Sequence, residues 1–210
     1  AQGMKLYGLE SFDPLDEFDI IGFTLQYELS FTNILNMLDL GGIPVYSKDR
    51  PGLKNLVIAG GPCCCNPEPI ADFVDLFQLG EGEEMLPEIC RCYQDAKERG
   101  LSKEEFLLKA CQIGGVYVPA FYDVEYFPDG RVKSITPNRP GVPAVVEKRI
   151  VQDLSTAYYP KNFVVPFIDT VHDRAILELM RGCIRGCRFC QAGYVYRPVR
   201  CRSKDVLVGQ

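Results

Sequence analysis

The chain has little of three features that mark common classes of protein. It contains one histidine against ten cysteines, which argues against zinc sites built on histidine pairs. No run is long and apolar enough to span a bilayer, and the opening AQGMKLYGLE lacks the apolar core and cleavage pattern of a signal peptide. We therefore expect a cytoplasmic protein without a membrane partner, whose cysteines are metal ligands, catalytic groups or small core residues rather than disulfides.

Composition and charge are otherwise ordinary. The 210 residues are 47% hydrophobic and 24% charged, which is enough for one or two hydrophobic cores. The net charge of −5 makes no general case for a nucleic-acid partner. The first residues carry no start signal and the last ones open a helix, so we expect a fragment of a longer protein.

The first half alternates between buried strands and helices. Apolar runs predict strands, and caps and periodicity predict the intervening helices, one of them with a capping box at Ser102 to Glu105. The predicted strands cover residues 19–24, 56–59 and 75–79, and the main helices follow Ser30 and cover residues 83–99. This βαβ alternation predicts an α/β domain over residues 1–115 with a doubly wound, Rossmann-like parallel sheet.

The character of the sequence changes after residue 115. Residues 116–135 are rich in β-formers around Pro128-Asp129-Gly130, a typical hairpin turn, and prolines recur after them. We predict a β-rich connector over residues 116–170. A further strand is predicted at Ala175 to Met180, and it opens a third region, residues 171–210.

Three cysteines with the spacing C-x3-C-x2-C follow that strand. Cys183, Cys187 and Cys190 lie on one short stretch, with Gly182 and Gly186 placed to permit tight turns. Thiolates select zinc, copper(I) or iron–sulfur clusters, and a closed zinc site needs a fourth ligand, usually from a second cysteine pair that this sequence lacks. Three ligands therefore suit a cubane cluster with one open iron, while zinc and a purely electron-transferring cluster stay open as alternatives.

This motif, with the aromatic Phe189 just before its last cysteine, resembles that of the radical S-adenosylmethionine (SAM) superfamily. The resemblance implies a [4Fe–4S] cluster on Cys183, Cys187 and Cys190, with SAM on the open iron and Phe189 beside its adenine. It also implies an electron donor of flavodoxin or ferredoxin type and a 5′-deoxyadenosyl radical as the reactive species. The region from residue 171 would then be the start of a (β/α) barrel that is cut off at the end of the chain.

The glycine turns upstream are similar to those of the cobalamin-binding domains that precede some radical SAM barrels, notably in an uncharacterised bacterial group. That resemblance implies backbone amides for the cobalamin tail at four glycines, namely Gly60, Gly61, Gly80 and Gly82. The D-x-H-x-x-G loop that supplies a cobalt ligand is absent, so binding without histidine and loss of the cofactor both stay open. His172 is predicted to make a structural hydrogen bond instead.

The remaining candidates are interpreted structurally. Cys63-Cys64-Cys65 is predicted to be a set of small residues in a turn, Cys111 a core residue and Cys201 incidental to the cluster. Every charged residue from Arg181 to Lys204 is basic, which fits either a solvated loop or a surface that holds an anionic cluster or ligand. Two alternatives to a SAM-cleaving enzyme stay open: a non-catalytic corrinoid- or metal-binding module, and an RNA-modifying enzyme of methylthiotransferase type. The sequence identifies no substrate and no catalytic side chain.

Overall fold

A computed structural model describes residues 3–160, 164–169, 171, 174 and 176–209. The chain divides into two compact units, with the boundary between Ile150 and Val151. None of the helices in the described part of the chain is long and apolar enough to cross a membrane. His172 and Ala175 lie outside the described residues, so the predicted hydrogen bond of His172 stays a prediction.

The first unit is built on a four-stranded, mostly parallel sheet in the order β1-β2-β3-β4. β1 pairs with β2 and β2 with β3 in parallel, and β4 is antiparallel to β3. The strands are β1 (Ile20–Thr24), β2 (Leu56–Gly60), β3 (Leu76–Gln78) and β4 (Val116–Tyr117). The three strands predicted from apolar runs are confirmed. The order does not reverse within these four strands, so the sheet is mixed α/β without the switch point of a doubly wound fold.

Three α-helices connect these strands: α1 (Phe31–Leu40), α2 (Gly82–Glu98) and α3 (Lys103–Ala110). α1 returns the chain so that β2 can run parallel to β1. Both α2 and α3 lie between β3 and β4, and the second helix reverses the direction of the chain again. β4 therefore enters antiparallel. The predicted capping box of α3 is confirmed, because the Ser102 hydroxyl accepts from the Glu105 amide while the Glu105 carboxylate accepts from the Ser102 amide.

A β-hairpin extends the first unit. β5 (Tyr122–Tyr126) and β6 (Val132–Pro137) pair antiparallel, as predicted around Pro128-Asp129-Gly130. Gly130 adopts a φ of +83°, which favours glycine in this tight turn.

The second unit has little regular structure among its described residues. β7 (Met180–Arg181) pairs antiparallel with β8 (Arg200–Cys201), and the described residues also form a 3-10 helix (Leu154–Thr156) and two short α-helices, α4 (Ala192–Val195) and α5 (Lys204–Gly209). The strand predicted from Ala175 to Met180 was wrong over residues 176–179, which are not in a strand. The ladder is limited to Met180 and Arg181 opposite β8, and one more backbone hydrogen bond, from the Arg202 amide to the Leu179 carbonyl at 2.9 Å, lies beside it.

Candidate metal centre

The cysteine motif lies on a loop that is closed at its base. β7 leads into the loop and β8 lies beside it after the chain returns. An acidic side chain at the base holds both sides together: the Glu178 carboxylate accepts from Arg181 at 2.7 and 3.0 Å, and from Arg202 at 2.9 Å. These guanidinium groups hold the pKa of Glu178 below its usual range. Glu178, Arg181 and Arg202 therefore form an ion-paired frame that joins the two ends of the loop. The residues between Arg181 and Arg202 form the loop itself.

Two glycines shape this loop. Gly182 has a φ of +101°, and a Cβ there would lie 2.5 Å from the Tyr196 carbonyl oxygen and 2.7 Å from that of Pro198. The loop can pack against the returning chain only because residue 182 has no side chain. Gly186 has a φ of +62°, which favours glycine, and open space around it. Neither glycine lies in a tight turn as predicted: the turn of the motif is at Arg188 and Phe189, where the Cys190 amide donates to the Cys187 carbonyl at 3.1 Å.

The three predicted ligands differ in exposure. Cys187 is exposed, and Cys183 and Cys190 are partly exposed. Among the described residues no three histidine, cysteine, aspartate or glutamate side chains are gathered as a group that could hold a metal ion. The fold thus places the three thiols on one accessible loop but does not bring their sulfur atoms together.

Phe189 is the other residue that the sequence predicts at this centre. Its ring is 92% exposed, just before Cys190. In the described part of the chain no aromatic ring stacks on it. Its face is therefore open to a planar ligand.

Other cysteines have environments that suit a core. Burial raises the pKa of the Cys64 thiol to about 12, and burial also raises the pKa values of Cys63 and Cys111. A thiol with a raised pKa stays protonated and ligates metal poorly. The predictions that Cys63 and Cys64 are turn residues and that Cys111 is a core residue are confirmed, since the first two lie in a 3-10 helix and all three are buried. Cys201 lies in β8 opposite Met180 and is exposed.

The glycine turn after β2 is filled by the protein itself. Gly61 has a φ of +100°, and a Cβ there would lie 2.9 Å from the carbonyl oxygen of Leu25. Leu25 donates to the Gly60 carbonyl at 2.7 Å and accepts from the Cys63 amide at 3.0 Å. This turn therefore joins the ends of β1 and β2 through the backbone.

The turn after β3 is filled in the same way by a distant segment. Gly80 has a φ of +112°, and a Cβ there would lie 2.0 Å from the Arg149 carbonyl oxygen. The Glu81 amide donates to the Arg149 carbonyl at 2.9 Å, and the Arg149 amide donates to the Leu79 carbonyl at 2.8 Å. Gly82 follows as the first residue of α2.

The Arg149 side chain completes this contact. Its guanidinium pairs with the Glu84 and Glu88 carboxylates of α2 at 2.8 and 2.9 Å, and these hydrogen bonds raise the pKa of Arg149. The first unit is thus closed by its last residues, which lie where parallel sheets commonly bind ligands.

Sequence reasoning missed the residues that frame both sites. Glu178 and Arg202 enclose the cysteine loop, and Arg149 occupies the turn at Gly80. Partners of such contacts lie far apart along the chain, so no local pattern identifies them. The one available signal was Glu178 itself, an acidic residue in an otherwise apolar predicted strand.

The first unit is similar to a known protein family. The family described as "Radical SAM proteins, N-terminal" matches residues 1–119. The match covers more than half of the chain and includes the four-stranded sheet. It lies upstream of the cysteine loop, in the region for which the sequence predicted a domain of cobalamin-binding type.

A relative from the archaeon Methanocaldococcus jannaschii extends the similarity to the second unit. This uncharacterised protein is 32% identical over 206 residues, which is 97% of the present chain. The chain spans only 36% of the length of that relative. The relative therefore supports similarity across both units and assigns no reaction.

Proposed function

Because this chain belongs to the family of radical SAM proteins, through their N-terminal domain, we propose that it is part of an enzyme that cleaves SAM at a [4Fe–4S] cluster. Cys183, Cys187 and Cys190 would be the ligands of that cluster. The observation that carries this proposal is the accessible cysteine loop that follows the family domain in the same chain. That the whole protein has this activity is part of the same proposal.

The donor set fits such a cluster. Three thiols on a loop of eight residues are the ligands that iron–sulfur clusters use, and Gly182 lets this loop pack against the returning chain. In the described residues none of the three sulfur atoms is engaged in a hydrogen bond or an ion pair. The three thiols can therefore bind a cluster without first breaking a hydrogen bond of their own.

The residues of this chain have separate tasks in the proposed site. A cluster held there would supply the electron for the reductive cleavage of SAM. Cys183, Cys187 and Cys190 would hold it. Phe189 offers an aromatic face to the adenine of the cofactor. Glu178, paired with Arg181 and Arg202, keeps the two ends of the loop together.

The test is anaerobic reconstitution with iron and sulfide. The wild-type chain should bind about four irons, and its reduced paramagnetic resonance spectrum should shift when SAM is added. Cys187→Ala should lose the cluster. Cys90→Ala is the matched control, because it removes an exposed thiol from α2 and should keep the full iron content. Stoichiometric zinc in place of iron, or equal iron in both variants, would contradict the proposal and favour a non-catalytic metal-binding module.

Cobalamin as a second cofactor remains a prediction. It rests on the amides of Gly60, Gly61, Gly80 and Gly82. The spaces beside Gly61 and Gly80 are taken by the backbone of Leu25 and Arg149, so a cobalamin tail would have to displace these segments. Equilibrium dialysis against hydroxocobalamin tests this directly, and no retained absorbance at stoichiometric protein would remove cobalamin from the proposal.

A further inference from the structure

The region around the cysteines has a charge opposite to that of the rest of the chain. Residues 181–204, called here the basic segment, contain seven arginine and lysine side chains and no acidic one. The whole chain carries −5, so the other residues together carry −12. The basic segment therefore carries a net positive charge, whereas the rest of the chain carries a net negative charge.

Most of these cations are held by the protein. Arg181 and Arg202 pair with Glu178, and the side chain of Arg202 is only 1% exposed. Arg197 donates to the Gly193 carbonyl, and Arg200 donates to the carbonyls of Val151 and Pro198. These four arginines serve to build the frame of the loop.

The two arginines inside the cysteine motif are different. Arg185 and Arg188 are exposed, and neither makes a hydrogen bond or an ion pair with any residue that the structure describes. They flank Cys187 on both sides. Two guanidinium groups without partners, at the mouth of the proposed site, are suited to bind phosphate groups bidentately.

Exposed aromatic rings lie between the cations. Tyr194 is 73% exposed in α4, and Tyr196 is 46% exposed just after it. An exposed aromatic ring can stack on a nucleobase, and arginines can bind the phosphates on either side of that base. Alternating cations and aromatic rings are typical of surfaces that bind single strands. The α-helices in the described part of this unit have four and six residues, which is too short to fill the major groove of a duplex.

We propose that the basic segment binds single-stranded nucleic acid, with phosphates on Arg185 and Arg188 and a base on Tyr194. This inference rests on the proposed function, because it names single-stranded nucleic acid as the substrate class of the proposed radical enzyme. An acidic peptide would satisfy the arginines but would leave Tyr194 without a stacking partner.

The test measures how salt weakens binding of the wild-type chain to a fluorescent oligouridylate of about 20 nucleotides. Anisotropy titrations over a range of salt concentrations give the slope of log affinity against log salt. Arg185→Gln with Arg188→Gln should reduce this slope by about 1.4, because each phosphate contact on a single strand contributes about 0.7. Tyr194→Leu should weaken binding about fivefold or more at every salt concentration and leave the slope unchanged.

Two controls make the result specific. Arg91→Gln with Arg174→Gln removes the same charge outside the basic segment and should leave the slope as in the wild type. Polyglutamate should not compete. An unchanged slope in the Arg185 and Arg188 variant, equal losses in both double variants, or competition by polyglutamate would overturn the inference.

Cluster assembly in the same samples separates this inference from the proposed function. A cluster that responds to SAM in a chain that does not bind the oligonucleotide would overturn only the substrate class. Oligonucleotide binding with the expected slopes, in a chain that forms no cluster, would support the binding surface and contradict the radical function.

Discussion

A buried carboxylate in the first unit allows a sharp prediction about stability. Asp75 has no exposed side-chain surface, and it accepts hydrogen bonds from Lys103 at 2.6 Å and Arg50 at 3.2 Å. It also accepts from the Val57 amide at 2.7 Å and from the Ser47 hydroxyl. This one anion therefore compensates two buried cations and connects β2, β3, α3 and the loop before β2.

Asp75→Asn keeps the size of the side chain and removes its charge. Arg50 and Lys103 would then be buried without a counter-charge, and we expect a loss of about 3–5 kcal/mol in the free energy of unfolding. Asp19→Asn is the control, since it breaks the exposed pair with Lys97 and should cost less than about 1 kcal/mol.

A double variant tests the reasoning about charge. Lys103→Met leaves the pair between Asp75 and Arg50 intact, so it should cost less than Asp75→Asn. In the double variant only Arg50 is uncompensated, and the total cost should be smaller than the sum of the two single costs.

The assay is urea unfolding followed by far-ultraviolet circular dichroism, with hydrogen exchange of β2 amides to assign the transition to the first unit. The reasoning is refuted if Asp75→Asn costs no more than Asp19→Asn. It is also refuted if the costs of Asp75→Asn and Lys103→Met are additive.

Two further predictions concern the first unit. Gly80→Ala should cost about 2–5 kcal/mol and release the segment at Arg149, because its Cβ would overlap the Arg149 carbonyl oxygen. Faster hydrogen exchange of the Glu81 amide reports that release, whereas Gly100→Ala, also at positive φ but with open space around it, should leave the amide protected. Burial raises the pKa of Tyr93 to about 12, above the value of about 10 in an unfolded chain. Its contribution to stability should be complete below pH 10 and lost as the pH rises towards 12. The absorbance of tyrosinate, compared between the wild type and Tyr93→Phe, measures this titration. A titration of Tyr93 near pH 10 in the native state would contradict the prediction.

Much of the first unit was predictable because its signals are local. Apolar runs located β1, β2 and β3, the capping box at Ser102 located α3, and the turn residues ending at Gly130 located the hairpin. Each of these patterns depends on residues within one turn or one strand. The strand prediction before Met180 failed because a strand is not decided by local residues alone. An apolar run becomes a strand only where a neighbouring strand can pair with it.

At the candidate centre the sequence predicts the thiol ligands, which stay a prediction, but not the ion-paired residues that hold the loop. The spacing of Cys183, Cys187 and Cys190 identifies a thiol loop whatever the surrounding fold, since ligand type and ligand spacing are both written in the chain. The bond between Glu178 and Arg202, 24 residues apart, is not. The sequence also does not distinguish the exposed Arg185 and Arg188 from the arginines that are held by hydrogen bonds and ion pairs.

The sequence by itself determined β1, β2, β3, the α-helices and the hairpin of the first unit, and it predicted the donor atoms of the proposed cluster, because these follow from neighbouring residues. Only the tertiary structure decided that β4 runs antiparallel, that Arg149 fills the turn at Gly80 and that one buried carboxylate balances two cations. Such contacts join residues 25 to 69 positions apart in sequence, as between Asp75 and Arg50 or Gly80 and Arg149. They form only when packing brings those residues together, so no local pattern encodes them.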